Sequence, residues 1–157
     1  MAAISPAEFR ALAEFRYRIR SFLKFSELAA KSAGVEPQQH QLMLVVKAAE
    51  PNSAGIGYLA ERLHLRRHSV VELVDRLEAH GLVRRSRSED DRRNAEVRLS
   101  SKGSAILGKL TLHHHEELHR GIPALMETLH LIASQQEAKR GSASAKKKTS
   151  KKTGRNP

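Results

Sequence analysis

The sequence of 157 residues contains no cysteine. Without thiols the chain has no disulfide framework, no thiolate metal site and no thiol redox sensor. It also has no stretch approaching the roughly 20 consecutive apolar residues that a membrane span needs. The N-terminal residues carry charges at helical spacing and lack the apolar run of a signal peptide. We therefore expect a cytoplasmic protein that does not associate with membranes.

Enzyme motifs are a second absence. The sequence contains no Gly-rich phosphate loop after a strand, no nucleophile–base pair in a suitable setting and no paired catalytic carboxylates. We therefore predict a protein that is not an enzyme and that needs no cofactor.

Basic residues are abundant but unevenly placed. Lys and Arg number 28 against 17 Asp and Glu, for a formal net charge of +11, yet eight of the basic residues and none of the acidic ones lie in residues 139–157. This Lys-rich segment has almost no apolar side chains to bury, so we predict a disordered tail. Two roles for this tail stay open. It could add sequence-independent DNA affinity through counterion release, or it could only make the chain more soluble. The rest of the chain is nearly balanced in charge, so evidence of DNA binding there must come from motifs.

The N-terminal region is predicted to be helical. Ser5 and Glu8 form a capping-box pattern with Pro6 at the first helical position. Apolar residues then recur every three or four positions until Gly34, which ends this first helix. A second helix is expected to start at Pro37.

The middle of the chain has the pattern of a helix-turn-helix. Residues 52–55 are expected to be a loop, after which two short helices, residues 57–63 and 67–80, are separated by three residues. Gly81 is placed to end the second helix. The buried face of that helix is expected to consist of Val70, Leu73, Val74 and Leu77. The opposite face is polar at its N-terminal end, which is typical of a helix that enters the major groove.

A β-hairpin and a final helical region follow. Residues 82–87 and 95–99 have strand patterns on either side of a charged loop, 88–94, and together they predict a wing. Helical periodicity returns in residues 100–120. Pro123 is predicted to break that helix before a last amphipathic segment.

Several short motifs stand at fixed offsets in residues 59–103. They are Leu59-Ala60, Asp75-Arg76-Leu77-Glu78, Gly81-Leu82-Val83 with Arg85, Asp91-Arg92-Arg93, and Leu99-Ser100-Ser101-Lys102-Gly103. This run resembles the MarR (multiple antibiotic resistance regulator) family of winged helix-turn-helix transcriptional regulators. The resemblance implies a mainly α fold with a small β-hairpin wing, dimerised through its N- and C-terminal helices. Members of the family are usually repressors at palindromic sites, and many are released by a small ligand, a metal or an oxidant.

The resemblance also predicts the organisation of the chain. Residues 1–138 are expected to form the MarR-like domain, with its DNA-reading part at about 52–100 and its dimerisation helices at about 5–33 and 101–138. Two positions depart from the usual pattern of the family. Arg66 replaces the Ser or Thr that caps the recognition helix, and His64 replaces the glycine of the turn. Histidine tolerates left-handed backbone geometry better than most residues, so the turn is retained in this prediction.

Three groups of residues are predicted to contact DNA. Base edges in the major groove are expected to be read by Arg67, His68, Ser69, Val71 and Glu72. Backbone phosphates are expected to be bound by Arg66, Arg84, Arg85 and Arg87. In the wing, Arg92 and Arg93 are expected at the minor groove, with Asp91 as an anchor that pairs with Arg76. The alternative is that the polar face of this helix is an ordinary solvated surface and that the wing is a salt-bridged surface hairpin.

Four histidines are candidates for a ligand site. The pocket of the family lies near the dimerisation helices, and His40 and His114 are predicted to line a pocket for a small organic effector. His115 and His119 have the four-residue spacing of a helical zinc site. Metal binding is the weaker alternative, since four neighbouring histidines cannot all face one ion and no cysteine assists them.

These features predict a sequence-specific DNA-binding transcriptional regulator in the cytoplasm, associated with the nucleoid. We expect a ligand-responsive repressor that binds double-stranded DNA as a homodimer on a palindromic operator. Two alternatives stay open. A histone-like architectural protein using the basic tail would coat DNA uniformly, and a winged helix that binds only proteins would show no salt-dependent DNA binding.

Overall fold

A computed structural model of the chain describes residues 4–50, 54–87 and 95–152. The helices in these ranges are α1 (Pro6–Ser32), α2 (Pro37–Ala48), α3 (Ile56–Leu63), α4 (Arg67–Ala79) and α5 (Ser101–Lys152). The strands are β1 (Ala54–Gly55), β2 (Val83–Arg87) and β3 (Ala95–Leu99). The predicted mainly α fold with a small β-hairpin is confirmed. None of the helices in the described ranges is both long and apolar enough to cross a bilayer.

Local sequence signals account for the start of α1 and for the ends of α1, α3 and α4. The capping box at the start of α1 is formed, with the Ser5 amide donating to Glu8 Oε2 at 2.7 Å and the Glu8 amide donating to Ser5 Oγ at 3.3 Å. The residues that follow α1 and α3, and the glycine just after α4, adopt left-handed geometry at Gly34, His64 and Gly81. Each allows the next amide to bond back to a carbonyl of the last helical turn, as Leu82 does to Leu77 at 2.9 Å.

The sheet has three antiparallel strands in the order β1-β3-β2. In β3 the side chain of Val97 is buried, while those of its neighbours Glu96 and Arg98 are half-buried and exposed. The hairpin of β2 and β3 was expected, but the expectation of a loop through residue 55 was wrong for Ala54 and Gly55. Two residues are too few to show strand periodicity, and β1 exists only because it pairs with the outer edge of β3.

The chain divides into two compact units, residues 24–116 and residues 1–23 with 117–157. The first unit holds a core of apolar side chains from α2, α3, α4 and the sheet, and its largest fully buried members include Leu42, Met43, Leu59, Leu77 and Val97. The buried face predicted for the second helix of the helix-turn-helix, from Val70 to Leu77, lies in this core. The exposed face of α4 is therefore set by the packing of the opposite one.

Helix α5 continues through Pro123, so the predicted break at that residue was wrong. An interior proline removes one hydrogen bond and costs about 3 kcal/mol. Pro123 is exposed, which leaves room for its ring, and the strong helix formers Ala124, Leu125, Met126 and Glu127 follow it. The backbone of residues 139–152 also continues α5, where the sequence predicts disorder. The domain boundary at residue 138 stays a prediction.

The end of α4 is joined to the start of α5 through backbone carbonyls. Ser100 Oγ donates to the Gly81 carbonyl at 2.7 Å and accepts from the Gly103 amide at 2.9 Å. This one hydroxyl therefore caps the start of α5 and also gives a hydrogen-bond partner to the carbonyl that follows α4. The Ser100 amide donates to the Leu82 carbonyl at 3.0 Å, and Lys102 Nζ donates to the His80 carbonyl at 3.0 Å. The carbonyls left over at the end of α4 therefore find their partners in the first turn of α5.

Glycine is required at position 103 because the first turn of α5 lies so close to the residues that follow α4. A Cβ atom there would overlap the carbonyl group of Leu82, a backbone group that also accepts the Ser100 amide. Gly103→Ala should therefore destabilise the fold by about 1–3 kcal/mol, the range for overpacking. The matched control is Gly108→Ala in the same helix, where the added carbon meets nothing within 4 Å. That variant should gain roughly 0.5–1 kcal/mol of stability from helix propensity.

Urea unfolding of the two variants measures both changes. Equal stabilities would contradict the close approach of α5 to Leu82.

Candidate nucleic-acid interface

The face of α4 opposite the core carries the residues predicted to read bases. Arg67, His68 and Glu72 are exposed, Val71 is 38% exposed and Ser69 is half-buried. Apolar Val71 thus stands in solvent among polar neighbours, as a side chain that contacts a thymine methyl group would. Their assignment to base edges stays a prediction.

The turn before α4 has the geometry expected from its two unusual residues. His64 has φ 52° and ψ 41°, the left-handed geometry for which a glycine is common. Arg66 occupies the N-cap position with extended geometry, and its side chain makes no capping hydrogen bond. The first amides of α4 therefore lack the usual hydroxyl acceptor, and the exposed Arg66 side chain adds positive charge at the same end.

Arg67 bends back towards α3. A Cβ atom on Gly57 would lie 3.0 Å from Arg67 Nη2, so the guanidinium rests against the first turn of α3. This contact depends on the absence of a side chain at Gly57. Sequence reasoning missed Gly57, for which the only signal was a glycine inside a short helix, at some cost in helix propensity.

Arg76 is engaged within α4. Its Nη2 lies 3.6 Å from Glu72 Oε2, and its Nε donates to the Glu72 carbonyl at 3.3 Å. The predicted partner Asp91 lies outside the described residues, as do Arg92 and Arg93, so the three predictions for the tip of the wing stay predictions.

Arg85, predicted to bind phosphate, makes its described contacts with α4. Its Nη2 forms an ion pair with Asp75 Oδ1 and donates to the Val71 carbonyl at 3.1 Å. Its backbone amide donates to Glu78 Oε1 at 3.0 Å. Arg84, the preceding residue of β2, is exposed. Arg87 ends β2, and its side chain is not described.

The two histidines predicted to line an effector pocket lie against each other. The rings of His40 in α2 and His114 in α5 are 4.9 Å apart between centroids. The ring of Phe25 from α1 is steeply inclined to that of His114, with 5.5 Å between their centroids. His114 Nδ1 lies 2.6 Å from the Leu110 carbonyl, which makes this nitrogen the donor, and Nε2 shares a hydrogen bond of 2.8 Å with Ser26 Oγ. The pair therefore joins three helices of one unit.

Burial lowers the pKa of His40 below its usual value of 6.5, and the neighbouring His114 lowers it further. His115 and His119, the pair at zinc spacing, are exposed. Among the described residues, no group of three or more His, Cys, Asp or Glu side chains is arranged to hold a metal ion.

Comparisons with known proteins agree with this geometry. Residues 33–94 match the MarR family profile. The uncharacterized HTH-type transcriptional regulator YfiV of Bacillus subtilis is 34% identical over 92 residues, which are 57% of this chain and 54% of that protein. The chain thus spans about half the length of the curated relatives it matches.

Solved structures share the fold over nearly the whole chain. AbsC, a MarR family transcriptional regulator from Streptomyces coelicolor, superposes with a TM-score of 0.69 at 20% identity, over 90% of this chain and 99% of that one. A variant of MepR from Staphylococcus aureus, solved bound to an oligodeoxyribonucleotide, gives a TM-score of 0.59 at 18% identity, over 87% and 94% of the two chains. The resemblance drawn from residues 59–103 is confirmed: residues 33–94 match the MarR family model, and the chain shares the fold of MarR family transcriptional regulators of solved structure.

The buried histidine predicts how stability changes with pH. Because the pKa of His40 is lower in the folded state, the unfolded chain binds more protons at this site below pH 6.5. The free energy of unfolding should therefore fall as the pH drops through 6.5 towards the lower folded pKa. In His40→Gln this part of the loss should disappear, and the curve between pH 7 and pH 5 should be flatter.

Urea unfolding at a series of pH values measures the slope. The exposed His68→Gln is the matched control and should retain the wild-type slope. A slope in His40→Gln as steep as in the wild type would show that His40 does not cause the loss.

Proposed function

We propose that this protein is a sequence-specific DNA-binding transcriptional regulator that acts as a homodimer on a palindromic operator. The observation that carries the proposal is the N-terminal end of α4, where Arg66, Arg67 and His68 are exposed. Further along the same helix, Arg85 of the β2–β3 hairpin bonds to Val71 and Asp75. A helix of this kind presents side chains to the major groove while the wing lies over the adjacent backbone. The DNA-bound MepR variant of the same fold supports this arrangement.

The homodimer is supported by the unit of residues 1–23 and 117–157. Large apolar side chains in this unit are 38–60% exposed, namely Phe9, Leu12, Tyr17, Ile19, Leu23, Leu118, Ile122, Met126, Leu129 and Leu131. Monomeric proteins rarely expose so many apolar groups on one small unit, whereas they are the usual core of an interface between subunits. A second copy of the chain, which carries the same apolar helices, is the occupant that this surface fits.

Repression relieved by a small organic effector is the finer part of the proposal. Within the unit of residues 24–116, α1 and α5 form an open pocket of about 280 Å³. It is lined by Ala29, Ser32, Ala33, Ile106, Lys109, Leu110 and His113. The small apolar side chains and the two basic groups suit an aromatic ring with an acidic substituent. A thermal-shift screen of aromatic acids, followed by DNA release at the same concentrations, tests this part.

The architectural alternative has no support from the relatives, which are transcriptional regulators. A winged helix that binds only proteins would leave the arginines of α4 without a role in DNA affinity. Substitution of one of them therefore tests the proposal.

Arg67→Ala should weaken binding to the preferred operator by about 1–3 kcal/mol and relax the preference at one base pair per half-site. The reason is that a guanidinium donates two hydrogen bonds to a guanine edge. Arg62→Ala on α3 is the matched control, because it removes the same charge from a neighbouring exposed position and should weaken all sequences slightly and equally. Titration against a panel of single-base operator changes measures both variants, and equal effects in the two would contradict base reading by Arg67.

The homodimer has a separate test. The wild-type chain should sediment as a dimer at micromolar concentration, and Ile122→Glu should shift it towards monomer because a buried unpaired carboxylate costs several kcal/mol at an interface. Leu44→Glu, at an apolar α2 side chain that is 47% exposed in the other unit, should leave the dimer intact. A wild-type monomer in sedimentation velocity would rule out the proposed assembly.

A further inference from the structure

We infer that Arg85 is a positioning residue, which holds the wing against the recognition helix and neutralises two carboxylates there, and that it is not a phosphate contact. The inference rests on the proposed function, since it concerns how the protein binds DNA. It reverses the role that the sequence predicts for this arginine.

The contacts of Arg85 reach three residues spaced along one face of α4. They are Val71, through its carbonyl, and the carboxylates of Asp75 and Glu78. Both the side chain and the backbone amide of Arg85 take part, so the strand itself is attached and not only a flexible side chain. In the sheet, Arg85 pairs with Val97, whose side chain lies in the core. Strand β2 is thus fixed to the recognition helix on one side and to β3 on the other.

The guanidinium is poorly placed for a phosphate. The Arg85 side chain is 28% exposed, and its Nε is buried without a hydrogen-bond partner among the described residues, 3.9 Å from Glu78 Oε2. A phosphate bound through two parallel bonds would need Nη2 and would have to replace Asp75 there, which exchanges one anion for another. Arginine side chains that bind phosphate in DNA complexes instead donate two parallel N–H···O bonds from a guanidinium that is not already paired with a carboxylate.

The two carboxylates need this partner if α4 is to approach DNA. The side chains of Asp75 and Glu78 are 55% and 41% exposed on the helix that enters the groove. Left unpaired, they would repel phosphates. An exposed ion pair contributes little to folding stability. Arg85 therefore contributes to DNA binding in two ways. It fixes the orientation of the wing, and it neutralises the negative charge that α4 would otherwise present to DNA.

Arg84 provides the matched control. It precedes Arg85 in β2, so its side chain points to the opposite face of the sheet, and it is exposed. Arg84→Met removes the same charge from the same strand as Arg85→Met. None of the hydrogen bonds or ion pairs described for α4 involves it.

The experiment compares binding of the full chain to two DNAs, the operator selected by the wild-type protein and the same operator with its flanks changed to G·C pairs. The ratio of the two affinities reports the wing, because the wing is the part that lies over the flank. Arg85→Met should reduce this ratio at least about fivefold and also weaken binding to both DNAs, because two bare carboxylates then face phosphate. Arg84→Met should weaken both DNAs alike and leave the ratio unchanged.

Two further variants separate position from charge. Arg85→Lys keeps the charge but cannot form the fork of bonds to Val71 and Asp75, so it should restore general affinity without restoring the ratio. Asp75→Ala removes a negative charge from α4 and also removes the ion pair with Arg85. It should raise affinity for non-specific DNA while lowering the flank ratio, and thermal melts should place all variants near the wild-type stability.

The outcomes are distinct. Full recovery of the ratio in Arg85→Lys, or an unchanged ratio in Asp75→Ala, would show that Arg85 acts as a phosphate contact and would overturn the inference. If the wild-type protein itself prefers no operator, the proposed function fails, whatever the variants do.

Discussion

The hydroxyl of Ser100 makes the interaction on which the winged helix-turn-helix depends. It donates to the carbonyl of Gly81, just after α4, and caps α5 by accepting from the Gly103 amide. A hydroxyl has one proton and two acceptor sites, so both bonds form together. Glycine at 103 lets the two helices approach closely enough for these bonds. Hydrogen bonds therefore join the residues that follow α4 to the first turn of α5.

Charge on α4 is arranged along its length. In its C-terminal half, Glu72 lies close to Arg76, and Asp75 and Glu78 lie close to Arg85. At its N-terminal end, Arg66 and Arg67 are exposed, and no ion pair is described for either. This end also carries the positive pole of the helix dipole. The helix thus presents most of its uncompensated positive charge where a DNA-reading helix first meets the groove.

Much of the fold could be predicted from sequence because its determinants are local. Few residue types tolerate left-handed geometry, so Gly34, His64 and Gly81 could be predicted as the positions where helices end. The capping box could be predicted because Ser5 and Glu8 are three residues apart. These signals need no knowledge of the tertiary structure. The break expected at Pro123 was wrong because long flanking helical turns outweigh one lost hydrogen bond.

The features that sequence could not supply are all contacts between distant residues. Arg85 looks like a phosphate contact until Asp75 and Glu78 are seen beside it, ten and seven positions earlier. His40 and His114 are 74 positions apart, and only the structure brings their rings together. Strand β1 depends wholly on the edge of β3. Composition and periodicity report which faces are buried, but they do not report which partner each polar group meets.

The central claim is that this chain reads a DNA sequence as a symmetric pair of helices. Selection of binding sites by the full-length protein from randomised duplex DNA at physiological salt tests it most directly. We expect one enriched pseudo-palindrome whose half-sites are centred about one helical turn, roughly 34 Å, apart. Uniform recovery of all sequences, or a single site without a symmetric partner, would contradict it.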